Sequence, residues 1–287
     1  MSSQRPDNAE SKRAQRREWD EASLGWKKWW SVFEQAAQKV SNRLIELANV
    51  RPGTRVLDLA TGMGEPALTA ARRVGPAGRV VAVDQSAGML AAARERSAAL
   101  GLTNVAFVET DGELPALHER DFEAALCRWG LMFMRDLPAA LSHIHDLLIA
   151  GGRFATAVWD RPENVPLIGL AIERVREIAG LPGGPDAVPD PCRLWDTEAL
   201  RRSLAQAGFE DIAIEPYPVI FEFESASSFL AFRRDTSAPL RRLLKSIPPE
   251  TRQKIDQAVT QAMARFEVGG GRIRMENRAF LASARRS

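Results

Sequence analysis

Val56-Leu57-Asp58-Leu59-Ala60-Thr61-Gly62-Met63-Gly64-Glu65-Pro66-Ala67 is the stretch from which the rest of the chain is read. Val56, Leu57 and Leu59 suit a buried parallel strand, and Asp58 interrupts that apolar run near its carboxyl end. Gly62 and Gly64 allow the backbone to turn sharply and to come close to a ligand. Pro66 suits the first turn of a helix, where a missing N–H costs least. In open α/β sheets, ligands bind at the carboxyl ends of strands beside helix N-termini. The stretch therefore predicts a strand, a cofactor turn and a helix.

The pattern continues downstream. Ala67–Val74 reads as a helix stopped by Gly75-Pro76-Ala77-Gly78, Arg79–Val83 as a second strand ending in Asp84, and Ser86–Leu100 as an Ala-rich helix stopped by Gly101. Asn104–Val108 is a third strand, followed by Thr110-Asp111-Gly112. Strands and helices alternating at this spacing predict a doubly wound, mostly parallel sheet. Asp58, Asp84 and Asp111 then recur at three successive strand ends and open on one crevice. A cap or turn acid explains any one of them, but not three together.

Two cofactors fit the turn. Gly62-x-Gly64-x-x-Ala67 matches a dinucleotide fingerprint, and Asp84 stands 20 residues beyond Gly64, where a ribose-binding acid belongs. An NAD(P)-dependent oxidoreductase is thus one alternative. In the other frame, Asp58-x-Ala60-x-Gly62-x-Gly64 resembles the first motif of class I S-adenosylmethionine (SAM)-dependent methyltransferases, Asp/Glu-x-Gly-x-Gly-x-Gly. Ala60 stands where that motif has its first Gly, and an Ala fits there only if its backbone angles are ordinary. SAM has no pyrophosphate, and an acidic loop suits its ammonium group.

Further segments strengthen the second resemblance. Asp111-Gly112-Glu113-Leu114-Pro115 resembles the Asp-Ala-Glu-x-Leu-Pro segment, one residue shorter, and Phe122-Glu123-Ala124-Ala125 the Phe-Asp-x-Val that opens strand four. Arg128-Trp129-Gly130-Leu131-Met132-Phe133 resembles the Arg-Phe-Gly-x-Met-Phe of the ubiquinone/menaquinone-biosynthesis-type methyltransferases. His145–Arg153 stands in place of Arg-x-Leu-x-Pro-Gly-Gly-Arg, with Ala150 for Pro. The resemblance covers residues 50–160 and implies a seven-stranded Rossmann-like methyltransferase sheet closed by an antiparallel C-terminal hairpin. It implies that Asp84 holds the ribose hydroxyls, that Asp111 accepts from the adenine amino group and that Gly112 N–H reaches a ring nitrogen. Asp58, Ala60, Gly62, Gly64, Gln85, Met89 and Cys127 complete the expected cofactor set, for SAM and for the product S-adenosylhomocysteine. Arg128, Trp129 and Met132 are expected to face the acceptor.

Outside that core the chain is read more coarsely. Residues 1–17 are polar and expected to form a frayed tail. Over 18–50, Trp26, Trp30, Phe33, Ala37, Val40, Leu44 and Leu47 recur at helical spacing and predict a helical lid of one or two helices. One stripe does not bury Trp29 together with Trp26 and Trp30, so Trp26 and Trp30 are assigned to an aromatic wall over a substrate pocket. The α/β core runs over 51–160. Residues 161–195 carry an inserted helix and a Pro/Gly-rich stretch, 181–193, read as a lid or a surface loop. The core resumes over 196–224, a helical cap with a basic rim of Arg233, Arg234, Arg241, Arg242 and Lys245 spans 225–268, and 269–287 holds the last strand.

Composition bounds the function. A net charge of +2 over 287 residues provides no electrostatic footprint for nucleic acid. Cys127 and Cys192 form no disulfide framework or zinc spacing, and no metal constellation is present. No apolar run reaches a membrane span, and the polar start does not read as a signal peptide, so a cytoplasmic enzyme acting on a small, largely apolar or aromatic molecule is expected. His118, His143 and His145 carry no assigned role. A non-catalytic SAM-binding protein is the remaining alternative. Asp84→Ala is expected to abolish SAM binding with little effect on folding, because Asp84 is read as an exposed strand-end residue. The acceptor atom and the oligomeric state stay open.

Overall fold

The computed structural model describes residues 8–180 and 191–287, and most of the 181–193 lid-or-loop stretch lies outside the described residues. The sheet has seven strands in the order β3-β2-β1-β4-β5-β7-β6. They are β1 (Arg55–Leu59), β2 (Arg79–Asp84), β3 (Val105–Glu109), β4 (Phe122–Arg128), β5 (Leu148–Trp159), β6 (Phe209–Phe223) and β7 (Ile273–Arg286). The strands β1 to β5 pair in parallel, and β7 runs antiparallel between β5 and β6. The strand order reverses between β1 and β4, so a crevice opens at their carboxyl ends.

Central strands carry apolar side chains on both faces because helices cover both. Val56, Leu57 and Leu59 of β1 and Val80–Val83 of β2 are fully buried. The flanking helices are α1 (Asn8–Leu47), α2 (Ala67–Val74), α3 (Ala87–Ala99), α4 (Leu137–Leu147), α5 (Pro166–Ala179) and α6 (Thr197–Gln206). Between β6 and β7 the chain inserts α7 (Ala226–Thr236), α8 (Ala238–Lys245) and α9 (Pro249–Met263). Ser86 caps α3 by accepting from Met89 N–H, and Asp196 and Ser225 cap α6 and α7 in the same way.

One expectation needs correcting. The polar segment expected to fray is helical from Asn8 and runs unbroken into the lid, which is a single helix, α1. The cause is tertiary: Lys12, Gln15 and Asp20 of its first half bond to Asp111, Gln85 and Ser86 at the strand ends. Forty residues make a helix about 60 Å long that lies across the crevice. It packs between α3 and α7, which explains how neighbouring Trp residues are all sheltered. Trp26 and Trp30 face the crevice, while Trp29 turns to α7, where its Nε1 donates to Asp235 2.7 Å away. Gly25 permits this approach: a Cβ there would stand 2.1 Å from the Asp235 carbonyl oxygen.

Candidate functional site

The turn after β1 builds the first end of the crevice. Ala60, Gly62 and Gly64 all adopt positive φ, +54°, +54° and +95°. The expectation of ordinary angles at Ala60 is therefore overturned. A left-handed alanine is strained by roughly 1–2 kcal/mol, so position 60 has the geometry for which the motif uses glycine. Asp58 is fully buried below this turn, within β1, and its Oδ2 accepts from Ala67 N–H at the start of α2. Burial pushes its carboxyl up to about 7, against the opposing pull of the Thr61 hydroxyl, Arg128 and Ala67 N–H. Asp58 thus holds the turn to α2 from beneath and is not part of the cavity wall.

Asp84 closes β2 and is buried rather than exposed. Its Oδ2 accepts from Gly62 N–H at 2.8 Å and its Oδ1 from Ser86 N–H at 2.9 Å. Burial raises its pKa, and the N–H groups of Ser86, Gly62 and Gln85 work against that rise. Removing Asp84 would release two backbone donors, so the expectation that Asp84→Ala leaves folding untouched is corrected. A carboxylate has about four lone-pair sites. Two remain here, enough for a vicinal diol.

Asp111 stands beyond β3, with Oδ1 accepting from Glu113 N–H and Oδ2 from Lys12 of α1, 2.6 Å away. Burial lowers the Lys12 pKa, but its bonds to Asp111 and Glu113 outweigh this and raise it. Glu18, Glu65, Asp84, Asp111 and Glu113 together make this end of the cavity acidic. That charge opposes a pyrophosphate and fits a cofactor carrying ammonium and sulfonium groups. Gln85, Met89 and Gly112 also line it, as expected, while Gly64 packs against Leu68 and Ala93 behind the turn.

The other end is aromatic. Trp129 follows β4 with φ +57° and stacks on Trp159 with ring centroids 4.4 Å apart. Phe33 meets Trp26 edge-on at 4.8 Å and Trp129 at 5.5 Å, and Phe232 of α7 approaches Trp26 at 6.4 Å. Leu167, Ile168 and Ile172 of α5 complete a cavity of about 260 Å³, far more than the roughly 10–15 Å³ that one water needs.

Three expected site residues behave differently. The Cys127 thiol is buried in the core beside Gly130, not in the cavity wall, and burial pushes its pKa up to about 12. The short turn Leu131–Phe133 points Met132 into the core and gives the cavity Phe133 and Met134 instead. Arg128 reaches the cavity but is engaged: it donates to both oxygens of Glu34, at 2.9 and 3.0 Å, and to Ser41 Oγ at 2.7 Å. It fastens α1 to the sheet. Sequence reasoning gave Lys12, Phe33, Trp159 and Phe232 no place in this wall and left Arg233 on a basic rim, because only the path of α1 and α7 brings them together.

A methyltransferase-domain family model matches residues 56–152. The chain is 32% identical over 142 residues to aklanonic acid methyltransferase DauC of Streptomyces sp. (strain C5), covering 46% of this chain and 64% of that one. It is 36% identical over 188 residues to the ubiquinone/menaquinone biosynthesis C-methyltransferase UbiE of Pseudomonas putida, covering 58% of this chain and 70% of that one. The YcgJ protein of Bacillus subtilis shares the fold, with a TM-score of 0.57 at 16% identity over 87% of this chain and 98% of that one.

Proposed function

We propose that this chain, which belongs to the class I SAM-dependent methyltransferases, moves the methyl group of SAM to a small, largely apolar or aromatic acceptor held beneath α1 and α7. The observation that carries the acceptor class is the continuous wall of Trp26, Phe33, Trp129, Trp159 and Phe232 leading away from the cofactor turn. Flat apolar walls of this kind bury flat apolar ligands. The family membership sets aside the dinucleotide and the non-catalytic alternatives.

SAM supplies an electrophilic methyl group, so the protein's task is alignment and exclusion of water. Asp84 would hold the ribose hydroxyls of bound SAM with the lone pairs that Gly62 and Ser86 leave unused. Asp111 and Gly112 would meet the adenine of bound SAM, and Asp58 keeps the Ala60–Gly64 turn in place from beneath. Trp26, Trp30 and Trp129 orient the acceptor, and α1 roofs both ligands.

We further propose that the partner is a small molecule rather than nucleic acid and that the enzyme works in the cytoplasm. Among the described residues no helix is long and apolar enough to cross a membrane. Calorimetric titration with S-adenosylhomocysteine, with NADH in parallel, tests the cofactor. Micromolar binding of the first alone, followed by methyl transfer to members of an aromatic panel, is the expected result. Binding of NADH alone would overturn it.

A further inference from the structure

The acceptor end of the cavity has an unmet demand of one kind. Among the described residues, Arg233 Nε, Trp26 Nε1 and Trp129 Nε1 are buried without a hydrogen-bond acceptor, and all three residues line this cavity. Every one is a donor. Buried polar groups in folded proteins are normally paired, so orphan donors on a cavity wall signal acceptor atoms that arrive with a ligand.

Arg233 is the decisive member. It is only 8% exposed, projects from α7 beside Phe232, and forms no ion pair among the described residues. Burial pulls its pKa down to about 10, with only the Cys192 sulfur acting in the opposite sense, so it remains a cation at neutral pH. None of the acids of the cofactor end acts on it. Its neighbours differ. Arg234 pairs with Asp256 on the surface, and Arg128, in the same cavity wall, has its charge answered by Glu34. An unanswered guanidinium in an apolar pocket is unfavourable in the free protein, and a planar fork of donors matches a carboxylate.

We infer that Arg233 is the anchor for a carboxylate carried by the aromatic acceptor, with the Trp26 and Trp129 indole N–H groups donating to further oxygens on its ring system. This rests on the methyltransferase reading and narrows its substrate class to aromatic carboxylates. The anchor makes the closed site neutral around the acceptor and sets which edge of the ring system faces the cofactor.

The test uses the full-length protein saturated with S-adenosylhomocysteine. Benzoate, 2-naphthoate and anthraquinone-2-carboxylate, each against its carboxamide, are titrated by tryptophan fluorescence. For at least one ring size the carboxylate is expected to bind about tenfold or more tighter than the amide. Arg233→Met should bring the pair within about twofold while leaving S-adenosylhomocysteine affinity unchanged, and Arg234→Met should keep the preference. Arg233→Met should also raise Tm by about 2–4 °C in the ligand-free protein, because a buried unpaired charge is removed; a merely structural arginine would lower it. Equal binding of acid and amide at every ring size in the native protein overturns the inference, even if the variant fails to fold. So does an undiminished preference in Arg233→Met. Failure to bind S-adenosylhomocysteine at all would instead overturn the methyltransferase reading beneath it.

Discussion

Gly62, Asp84 and Asp111 reach the crevice from three consecutive turns of one sheet, whereas Trp26, Trp159 and Phe232 reach it from the first helix, the fifth strand and the cap. The cofactor end is made of backbone turns and of acids anchored by N–H groups, with Asp58 Oδ1 and Thr61 Oγ1 still unpaired beneath the turn. Asp84 accepts from Gly62 and Ser86, and Asp58 from Ala67. The acceptor end is made of side chains, and three of its donors, Arg233 Nε, Trp26 Nε1 and Trp129 Nε1, lack partners. One end has its turns and acids set by local backbone bonds before a ligand arrives, and the other leaves three donors for a ligand to meet. That contrast explains how a common fold keeps one cofactor while its acceptors diverge: the first end depends on local backbone geometry and the second on how distant helices pack.

The two ends share a roof, and the largest expected effect comes from loosening it. Glu34→Ala leaves Arg128 charged and buried at the end of β4, with Ser41 and the Ala37 carbonyl as its remaining partners. Breaking a buried pair on one side costs about 3–5 kcal/mol. Urea unfolding should show that loss, and both ends should suffer, with weaker S-adenosylhomocysteine binding and weaker quenching by aromatic acceptors. Glu34→Ala/Arg128→Met should recover much of the stability. If Glu34→Ala alone proves neutral, α1 is not fastened by this pair and the roof is not shared.

Asp84→Asn separates the ends. The amide retains one acceptor oxygen for the two N–H groups and can no longer accept from both ribose hydroxyls. Affinity for S-adenosylhomocysteine should fall by roughly 10–100-fold, the size of lost hydrogen bonds to a charged group, with Tm lowered modestly. An acceptor that binds the ligand-free protein should be unaffected. Normal cofactor binding would remove Asp84 from the ribose role.

Which parts were legible follows from the same contrast. The α/β alternation, the turn and the three acids are local signals, written within a few residues of each backbone feature. Even there, burial is not legible: the sequence places Asp84 at a strand end, where side chains are usually exposed, whereas α1 and Gly62 cover it. Lys12 on Asp111 and Arg233 among the aromatics were not legible, since each depends on contacts between segments roughly 100 or more positions apart in the chain. The sequence does not show that Met132 turns inward and Phe133 takes the cavity position, because the turn at Leu131–Phe133 rotates the side chains out of strand register. A clue was present at Gly25, where a small residue in an aromatic-rich helix marks the place at which α7 comes close.

A smaller effect concerns Asp58. Its carboxyl titrates near 7 when folded against 3.8 in the unfolded chain. Between those values the native state holds a proton that the unfolded state has lost, so this residue's contribution to stability falls as pH rises from about 4 to 7. A cationic ammonium group bound above it favours the anion. Binding of S-adenosylhomocysteine near pH 7 should therefore release a fraction of a proton, seen as a binding enthalpy that changes with buffer ionisation heat. Asp58→Asn should abolish that dependence. A buffer-independent enthalpy in the native protein would place the ammonium group away from Asp58.

The smallest effect tests the strained turn itself. Ala60 sits at φ +54° with its Cβ directed at Gly130, where an added Cβ would come within 2.7 Å of it. Ala60→Gly removes the left-handed strain, worth roughly 1–2 kcal/mol, but gives the unfolded chain more freedom, worth about 0.4–1 kcal/mol in the other direction. The net change expected is a stabilisation of about 1 kcal/mol or less, with cofactor affinity unchanged within a factor of about 2–3, because the turn is already held by Asp84 on Gly62 and by Asp58 on Ala67. The informative comparison is Ala60→Val, in which a β-branched residue meets the same φ and crowds Gly130. It should lose cofactor binding while leaving the binding of an aromatic acceptor to the ligand-free protein intact. If Ala60→Val weakened both equally, strain at the turn would be transmitted into the aromatic wall through Gly130 and Trp129, and the two ends would act as one unit rather than as a prebuilt half joined to a ligand-completed one.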